Sequence, residues 1–385
     1  MTTFPLAPNA TIGIIGGGQL GRMSALAAAR LGYRCHILTP EQDSPAAQVS
    51  HTVTIAEYED QRVLRAFAAD VDVITFEFEN VSADGLSLLE HLRPVRPSPA
   101  VLRISQYRIA EKTFLNQTGI ATAPWRAVST PAEMETAIAA IGFPSVLKTT
   151  RFGYDGKGQA LLRTPDDASR AFVELGPAPL ILEGFVDFAQ EISVIVARGA
   201  DGAMAAFDTV ENRHRDHILD LTLAPAPIPE ATAAEAQRVA RRIAAGLGLV
   251  GLLAVEMFVD ADGKVLVNEL APRPHNSGHW TIDACPASQF ELHIRAVAGL
   301  PLHPATRHSD AVMKNLVGPE ETALWPRIVA TPGLIPHLYG KAEARPGRKM
   351  GHVTRLFPLG ALPGEFGIAA ALGPLMPAEG GSHRA

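Results

Sequence analysis

Two glutamates of this chain sit where an acidic side chain is hardest to accommodate. Glu256 interrupts the apolar run "GLLAVEMFV" and Glu269 ends "VLVNELA", and Asp260-Ala261-Asp262-Gly263, a tight-turn sequence, joins the two runs. That order predicts a hairpin with one carboxylate on each strand. Carboxylates surrounded by Val, Leu and Met are costly to bury unless a cation compensates. Hard oxygen donors of this kind suit Mg²⁺, which needs few protein ligands when phosphates supply the rest. The competing partner is a basic side chain, Arg273 or Lys264.

A second set of residues could hold phosphate. Lys148 closes the apolar stretch "FPSVLKTT", and "RFGYDGKGQ" comes next, in which Gly153, Gly156 and Gly158 alternate with Tyr154, Asp155 and Lys157 before Gln159. Glycines let backbone amides close over phosphate oxygens, and a nearby lysine adds a point charge. The loop lacks the G-K-[ST] of a Walker loop, and no H-R-D or D-F-G comes after it as in a kinase. A flexible surface hairpin is the other reading. Near the N-terminus, Gly16, Gly18 and Gly21 of "GIIGGGQLGRM" satisfy G-x-G-x-x-G between a strand and a helix. A dinucleotide site also wants an acidic residue ending the second strand. Here "ILTPEQD" offers Glu41 and Asp43 only after Thr39-Pro40, a loose match. A tight turn that packs helix on strand stays open as the alternative.

Histidines cluster in "ENRHRDH" and "PRPHNSGHW". His214 and His217, and His275 and His279, have spacings that suit zinc on a helix. Pro272, Pro274 and Gly278 oppose a helix at the second site and the first lacks a third ligand, so zinc is not expected. These stretches read instead as polar loops that bind small anions through Arg273, His275 and Asn276. No G-x-S-x-G elbow occurs, and Cys285 has no activating neighbour in sequence.

The elements that must position these residues fall into regions. Up to residue 100 strands alternate with helices: "TIGIIG", "RCHILT", "TVTIA" and "DVITFEFE" are strands, with helices in "LGRMSALAAARLGY" and "EDQRVLRAFAADV". That alternation predicts an α/β unit, a parallel sheet with helices on both faces. "RPVRPSP" then punctuates the chain. "SQYRIAEKTFLNQTGI" reads as one helix with a glycine turn, and an α+β pattern runs to about residue 298. Beyond it lies a turn-rich, β-rich stretch and a frayed tail. The expected limits are 1–103, 104–298 and 299–385.

Composition bounds the function classes. At 385 residues, 47% of them hydrophobic and 19% charged, the chain has more length than one core needs. A net charge of −6 without a Lys/Arg block argues against nucleic acid as partner. Two cysteines, Cys35 and Cys285, make no disulfide framework and suit a reducing cytosol. The N-terminus lacks a signal peptide's charged and apolar regions. The most apolar window, 14 residues containing Glu256, is shorter than the roughly 20 a bilayer needs. A cytoplasmic protein with no membrane partner is expected.

Taken in order, "KTTRFGYDGKGQ", "EGFV", "QEISVIV", "ENRHRDHIL", "GLLAVEMF" and "NELAPRPHNSGHW" resemble the ATP-grasp enzymes. With "GGGQLGRM" ahead of them and "ARPGRKMGH" behind, the chain resembles the N5-carboxyaminoimidazole ribonucleotide synthase family of purine biosynthesis, over residues 11 to about 357. The resemblance implies a Rossmann-like pre-ATP-grasp unit, a central ATP-grasp domain and a small β-rich C-terminal domain, commonly as a homodimer. It implies ATP-dependent carboxylation of 5-aminoimidazole ribonucleotide by bicarbonate, through carboxyphosphate. Arg108 and Lys148 would lie near the ATP phosphates under a lid from Gly153 to Gln159. Glu183, Gly184, Phe185 and Val186 would hold the adenine edge, Glu191 the ribose, and His214 would sit beside the nucleotide. Glu256 and Glu269 would hold Mg²⁺ with Asn268 adjacent. Gly18, Gln19, Leu20 and Glu77 would face the ribonucleotide, and Lys341, Arg345 and Arg348 its phosphate. Tyr154, Asp155, Lys157, Arg273, His275 and Asn276 would border the bicarbonate and the attacking amine, with Asp155 orienting that amine.

Three other functions fit parts of the same sequence. One is a formate-using glycinamide ribonucleotide transformylase on the same scaffold. The others are an NAD-dependent oxidoreductase, read from G-x-G-x-x-G alone, and a nucleotide-binding regulator without catalysis.

Overall fold

A computed structural model of the chain describes residues 2–151, 153, 157–176 and 179–376. The expected lid residues Tyr154, Asp155 and Gly156 lie outside the described residues.

The N-terminal strands are β1 (Thr11–Ile15), β2 (Arg34–Thr39), β3 (Thr52–Ile55) and β4 (Val73–Phe76). They form a parallel sheet in the order β3-β2-β1-β4. β1, β2 and β4 read as nearly continuous apolar runs because both faces are covered. Helices Gln61–Ala69 and Ala83–Glu90 bury Leu64, Phe67, Leu86 and Leu89 on one side. On the other, helix Gln19–Arg30 is joined by helix Gln289–Ala298, whose Ile294 and Val297 share a core with Ile12 and Ile14. The last helix before residue 299 thus closes the N-terminal sheet, and His293 on it bonds Thr75 across 3.0 Å.

The second sheet is antiparallel: β5 (Trp125–Val128), β6 (Ser145–Thr149), β7 (Gln159–Leu162) and β8 (Leu180–Gly184), in the order β5-β8-β6-β7. Its two helices, Pro131–Ile141 and Pro165–Glu174, each begin at a Thr-Pro step with a complete capping box, Thr130 with Glu133 and Thr164 with Asp167.

The third sheet contains β9 (Gln190–Arg198), β10 (Met204–Ala206), β11 (Val210–Arg215), β12 (Ile218–Ala224), β13 (Gly251–Val259), β14 (Val265–Ala271), β15 (Asp310–Val317), β16 (Leu334–Leu338) and β17 (Lys349–Phe357). Its order is β14-β13-β9-β11-β12-β15-β17-β16, with β10 on β9. Helix Glu230–Gly246 covers one face through Val239, Ala240 and Ile243. The C-terminal strands therefore build no sheet of their own. β15 takes the free edge of β12, from Leu221 opposite Lys314 to Ala224 opposite Ala311, and the ladder runs on unbroken.

Two local departures from the sequence reading shape the cleft. The stretch expected as one helix is two, Pro99–Gln106 and Arg108–Gln117, because Tyr107 takes an extended conformation at φ −123° and ψ 103°. The strand expected over "DVITFEFE" stops at Phe76, so Glu77 and Glu79 leave the sheet at its C-terminal edge. Among the described residues no helix is long and apolar enough to cross a membrane.

Candidate active site

Glu256 on β13 and Glu269 on β14 are direct cross-strand partners, which puts both carboxylates on one face of the hairpin. The register then slips: Met257 pairs with Val267, and Asn268 is the extra residue of a β-bulge. Glu256 Oε1 lies 2.7 Å from His275 Nε2, and Glu269 Oε2 accepts from Arg108 Nη1 at 3.1 Å. Burial by itself would raise the Glu256 carboxyl, but His275, His214 and Arg273 outweigh it and bring it down to about 2. Glu269 moves the other way, raised first by burial and then by the charge on Glu256. Two carboxylates side by side, one repelled by the other, are a donor set that a divalent cation relieves. The Glu269 side chain keeps 41% of its surface exposed, so its oxygens can be reached from the cleft. The residues fit Mg²⁺.

Two cations, Arg108 and Lys148, lie close to this pair. Arg108 opens its helix at the break after Tyr107, its amide donating to Thr150 O at 3.0 Å and its Nη2 to Gly153 O at 3.5 Å. Lys148 Nζ donates to Glu183 Oε2 at 2.9 Å. The buried Glu183 works against desolvation, yet Lys112 and Lys148 hold its carboxyl below the usual range. The expected adenine edge comes next along the chain: Gly184 N donates to Pro124 O, and Phe185, an exposed ring, donates its amide to Pro144 O. Val186 is half-buried beyond them. Glu191 Oε2 meets His214 Nδ1 at 3.0 Å. Burial lowers His214, but the Glu191 contact overrides it and lifts the ring above the usual histidine range. Gly158 has φ +70°, and a Cβ there would lie 2.6 Å from Thr149 Oγ1, so the strand pair that carries Lys148 opposite Gln159 requires glycine. Lys157 lies in the turn just before β7.

The N-terminal glycines meet a different partner. Glu77 turns back from the end of β4 and accepts from Gly18 N and, at 2.7 Å, from Gly21 N. A carboxylate therefore occupies the amides at the start of helix Gln19–Arg30, the place where a dinucleotide would put its pyrophosphate. Bare Gly16 and Gly18 are needed here: a Cβ on Gly16, at φ +111°, would lie 2.4 Å from Glu77 Cγ, and one on Gly18 2.6 Å from Glu77 Oε1. Burial raises the Glu77 carboxyl, partly offset by the two amides and by Arg273 and Lys341. Gln19 begins the helix, and Leu20 packs beside Met23, Phe290 and Tyr339.

Arg273 bridges the two regions, its Nη2 3.1 Å from Glu79 Oε2. Beside it both polar atoms of the Asn276 side chain are buried without a partner. Lys341 Nζ donates to Lys349 O at 2.6 Å, 5.6 Å from the centre of the Tyr339 ring. Arg345 and Arg348 both turn to Glu343, through its carboxylate and its carbonyl, and Arg345 is exposed. Of the three expected phosphate cations, Lys341 is the one held close to Glu77.

Sequence reading missed Glu79, Glu111 and Lys112. Glu79 was visible as the second acid of "FEFE". Glu111 and Lys112 look like the solvated face of an ordinary helix, yet both are buried: Glu111 Oε2 accepts from Leu270 N at 2.9 Å and Lys112 Nζ donates to Asn268 O at 2.7 Å.

Comparison with known proteins finds three family matches along the chain. Residues 9–106 match the ribonucleotide synthetase preATP-grasp domain, 113–290 the ATP-grasp domain, and 311–358 the phosphoribosylaminoimidazole carboxylase C-terminal domain. The chain is 52% identical over 360 residues to an N5-carboxyaminoimidazole ribonucleotide synthase from Brucella melitensis, covering 93% of this chain and 99% of that one. Among solved structures, an N5-carboxyaminoimidazole synthetase from Staphylococcus aureus complexed with ADP superposes with a TM-score of 0.88 at 38% identity, over 92% of this chain and 95% of that one. An Aspergillus clavatus N5-carboxyaminoimidazole synthase in complex with ADP and 5-aminoimidazole ribonucleotide superposes with a TM-score of 0.88 at 32% identity, over 95% and 97%.

Proposed function

The chain belongs to the N5-carboxyaminoimidazole ribonucleotide synthase family of ATP-grasp ligases, and on that premise we propose how its cleft makes N5-carboxyaminoimidazole ribonucleotide from 5-aminoimidazole ribonucleotide and ATP in purine biosynthesis. The carbon source is bicarbonate, the metal is Mg²⁺, and the enzyme works as a cytoplasmic homodimer. The observation that carries the reading is the in-register pair Glu256 and Glu269, with Arg108 in contact with Glu269 and Lys148 held nearby on Glu183.

ATP lies between the second and third sheets, with its adenine along Glu183 to Val186 and its ribose hydroxyls on Glu191 beside His214. Glu256 and Glu269 would hold Mg²⁺, which when bound would supply positive charge to the phosphate oxygens. Arg108 and Lys148 release their carboxylate partners to take up those oxygens, and the loop from Gly153 to Gln159 closes over them. A bicarbonate oxygen attacks the γ-phosphorus and the bond to ADP breaks. The product, carboxyphosphate, has phosphate as leaving group where bicarbonate had hydroxide. Asn276 offers its unsatisfied amide to this anion, with Arg273 and His275 on either side of it. The exocyclic amine of the ribonucleotide, oriented by Asp155, attacks the carboxyl carbon, phosphate departs, and the proton lost by the amine passes to that phosphate. Carboxyphosphate hydrolyses readily, so a closed lid keeps water from the intermediate.

The ribonucleotide lies along Glu77 and the helix start at Gly18 to Leu20, with its phosphate on Lys341, Arg345 and Arg348. Burial, then Arg348, brings Lys341 down to about 8 from the usual 10.5. Its ammonium is charged below about pH 8 and lost above it. The KM for the ribonucleotide is therefore expected to rise above pH 8, by up to about tenfold per unit, and to stay flat over that range in Lys341→Arg. A KM in the unaltered enzyme that is flat from pH 7 to 9.5 removes Lys341 from the phosphate site. The stability term has its own sign: a folded pKa below the unfolded one means this group costs stability below pH 8, and the cost disappears as pH climbs toward 10.5.

ADP release tests the whole reading. With Mg²⁺·ATP present, bicarbonate and 5-aminoimidazole ribonucleotide are added singly and together. Release that jumps only when the ribonucleotide is present supports it. Release driven instead by formate with glycinamide ribonucleotide keeps the scaffold and replaces the substrates.

A further inference from the structure

Helix Arg108–Gln117 touches both sheets that enclose the nucleotide cleft, and two of its side chains do something unusual to β14. β14 is the edge strand of its sheet and carries a bulge, and backbone groups left outside the ladder are costly to bury unpaired. At the bulge in β14 the two groups on either side of Glu269 are the carbonyl of Asn268 and the amide of Leu270. Lys112 Nζ takes the carbonyl at 2.7 Å and Glu111 Oε2 takes the amide at 2.9 Å. Both side chains are buried, Lys112 at 1% exposure and Glu111 at 2%. Adjacent residues on one helix thus clasp the backbone immediately before and after Glu269.

We propose that Glu111 and Lys112 are positioning residues that fix the aim of Glu269 by clasping its two neighbouring backbone groups across the bulge. The inference rests on the reading of Glu269 as a metal ligand. Neither side chain touches metal or substrate. With the clasp in place, the strand can turn Glu269 only toward Glu256 and the cleft. Without it, Asn268 is free to slip back into the ladder, and a one-residue slip sends Glu269 to the opposite face. Lys112 also lies 3.8 Å from Glu183, so the same helix ties β14 to the strand expected at the adenine edge.

The test is Mn²⁺ binding to the full-length protein with ADP, measured by electron paramagnetic resonance, beside ADP affinity in EDTA. Glu111→Asp keeps the carboxyl group but withdraws the acceptor by about 1.5 Å. It is expected to weaken Mn²⁺ binding at least tenfold, in line with the loss typical when a ligand's supporting contact is removed, with ADP affinity in EDTA unchanged. Glu111→Gln, whose amide oxygen still reaches Leu270 N, is expected to restore Mn²⁺ binding to within about threefold. Lys112→Met is the second variant, for the case that Glu111→Asp does not fold, and is expected to show the same tenfold loss. Mn²⁺ affinity equal to that of the unaltered protein in either variant overturns the proposal. Equal losses in the Mn²⁺ and EDTA measurements overturn it too, since they signal a loosened fold. Glu269→Gln separates the premise: if it binds Mn²⁺ as well as the unaltered protein does, the metal assignment itself falls.

Discussion

Glu269→Gln is expected to lower kcat/KM by about a thousandfold or more while leaving ADP affinity in EDTA within a few-fold of the unaltered protein. The substitution preserves shape and the bond from Arg108, but removes the charge that makes the Glu256 and Glu269 pair attractive to a divalent cation. Glu256 is already held ionised by His275, so Glu269 is the member whose charge is contested, pushed up by burial and by its neighbour. A cation bound between them would favour the ionised form of both. Raising Mg²⁺ into the millimolar range should recover part of the rate, because the defect lies in affinity. A variant with full activity at low Mg²⁺ would remove the assignment, and a variant that binds no ADP in EDTA would mean that Glu269 serves the nucleotide directly.

The second large effect concerns stability. Glu77→Ala leaves the amides of Gly18 and Gly21 without an acceptor at the start of helix Gln19–Arg30. Each orphaned buried donor costs about 1–3 kcal/mol, and relief of burying a carboxylate returns part of that, so a net loss of about 2–3 kcal/mol is expected in urea unfolding. That is a sizeable share of the roughly 5–15 kcal/mol that folded proteins hold in total. Glu77→Gln keeps one acceptor and should lose about half as much. The Ala variant also has a rescue: it exposes the helix start to anions, so pyrophosphate should raise its melting temperature and leave the unaltered protein's unchanged. Unfolding of Glu77→Ala at the same urea concentration as the unaltered protein would mean that the carboxylate does not cap the helix.

The contrast between these two sites explains what the sequence could and could not reveal. Glu256 and Glu269 were legible because an acid inside an apolar strand is conspicuous whatever the fold. Lys148 was conspicuous for a similar reason: it ends an apolar strand and glycines come after it. Glu77 was visible as an acid near the right strand end, but its grip on Gly18 joins residues 59 apart, and no local pattern encodes that. The same grip decides what the sequence left open, because G-x-G-x-x-G with a carboxylate already on its amides is no pyrophosphate site. Glu111 and Lys112 were invisible for the opposite reason. On a helix read alone they belong to the polar face, and only packing against β14, the edge strand of its sheet, supplies the carbonyl and amide that draw them inside. Arg345 and Arg348 show the limit of reading charge: the basic turn is real, yet both side chains answer first to Glu343.

Edge pairing was equally hidden, and it bears on how the molecule can be cut. A chain ending at residue 298 would strip β15 from β12 and bare a strand of sequence ILDLTLA, with Leu219, Leu221 and Leu223 along it. Unpaired strand edges of that kind recruit other chains. Asp220 would also lose Lys314, which reaches it at 2.7 Å from the far side of the junction. The C-terminal strands thus act as the solubility guard of the catalytic sheet, and a fragment made to isolate the nucleotide site would have to carry them along.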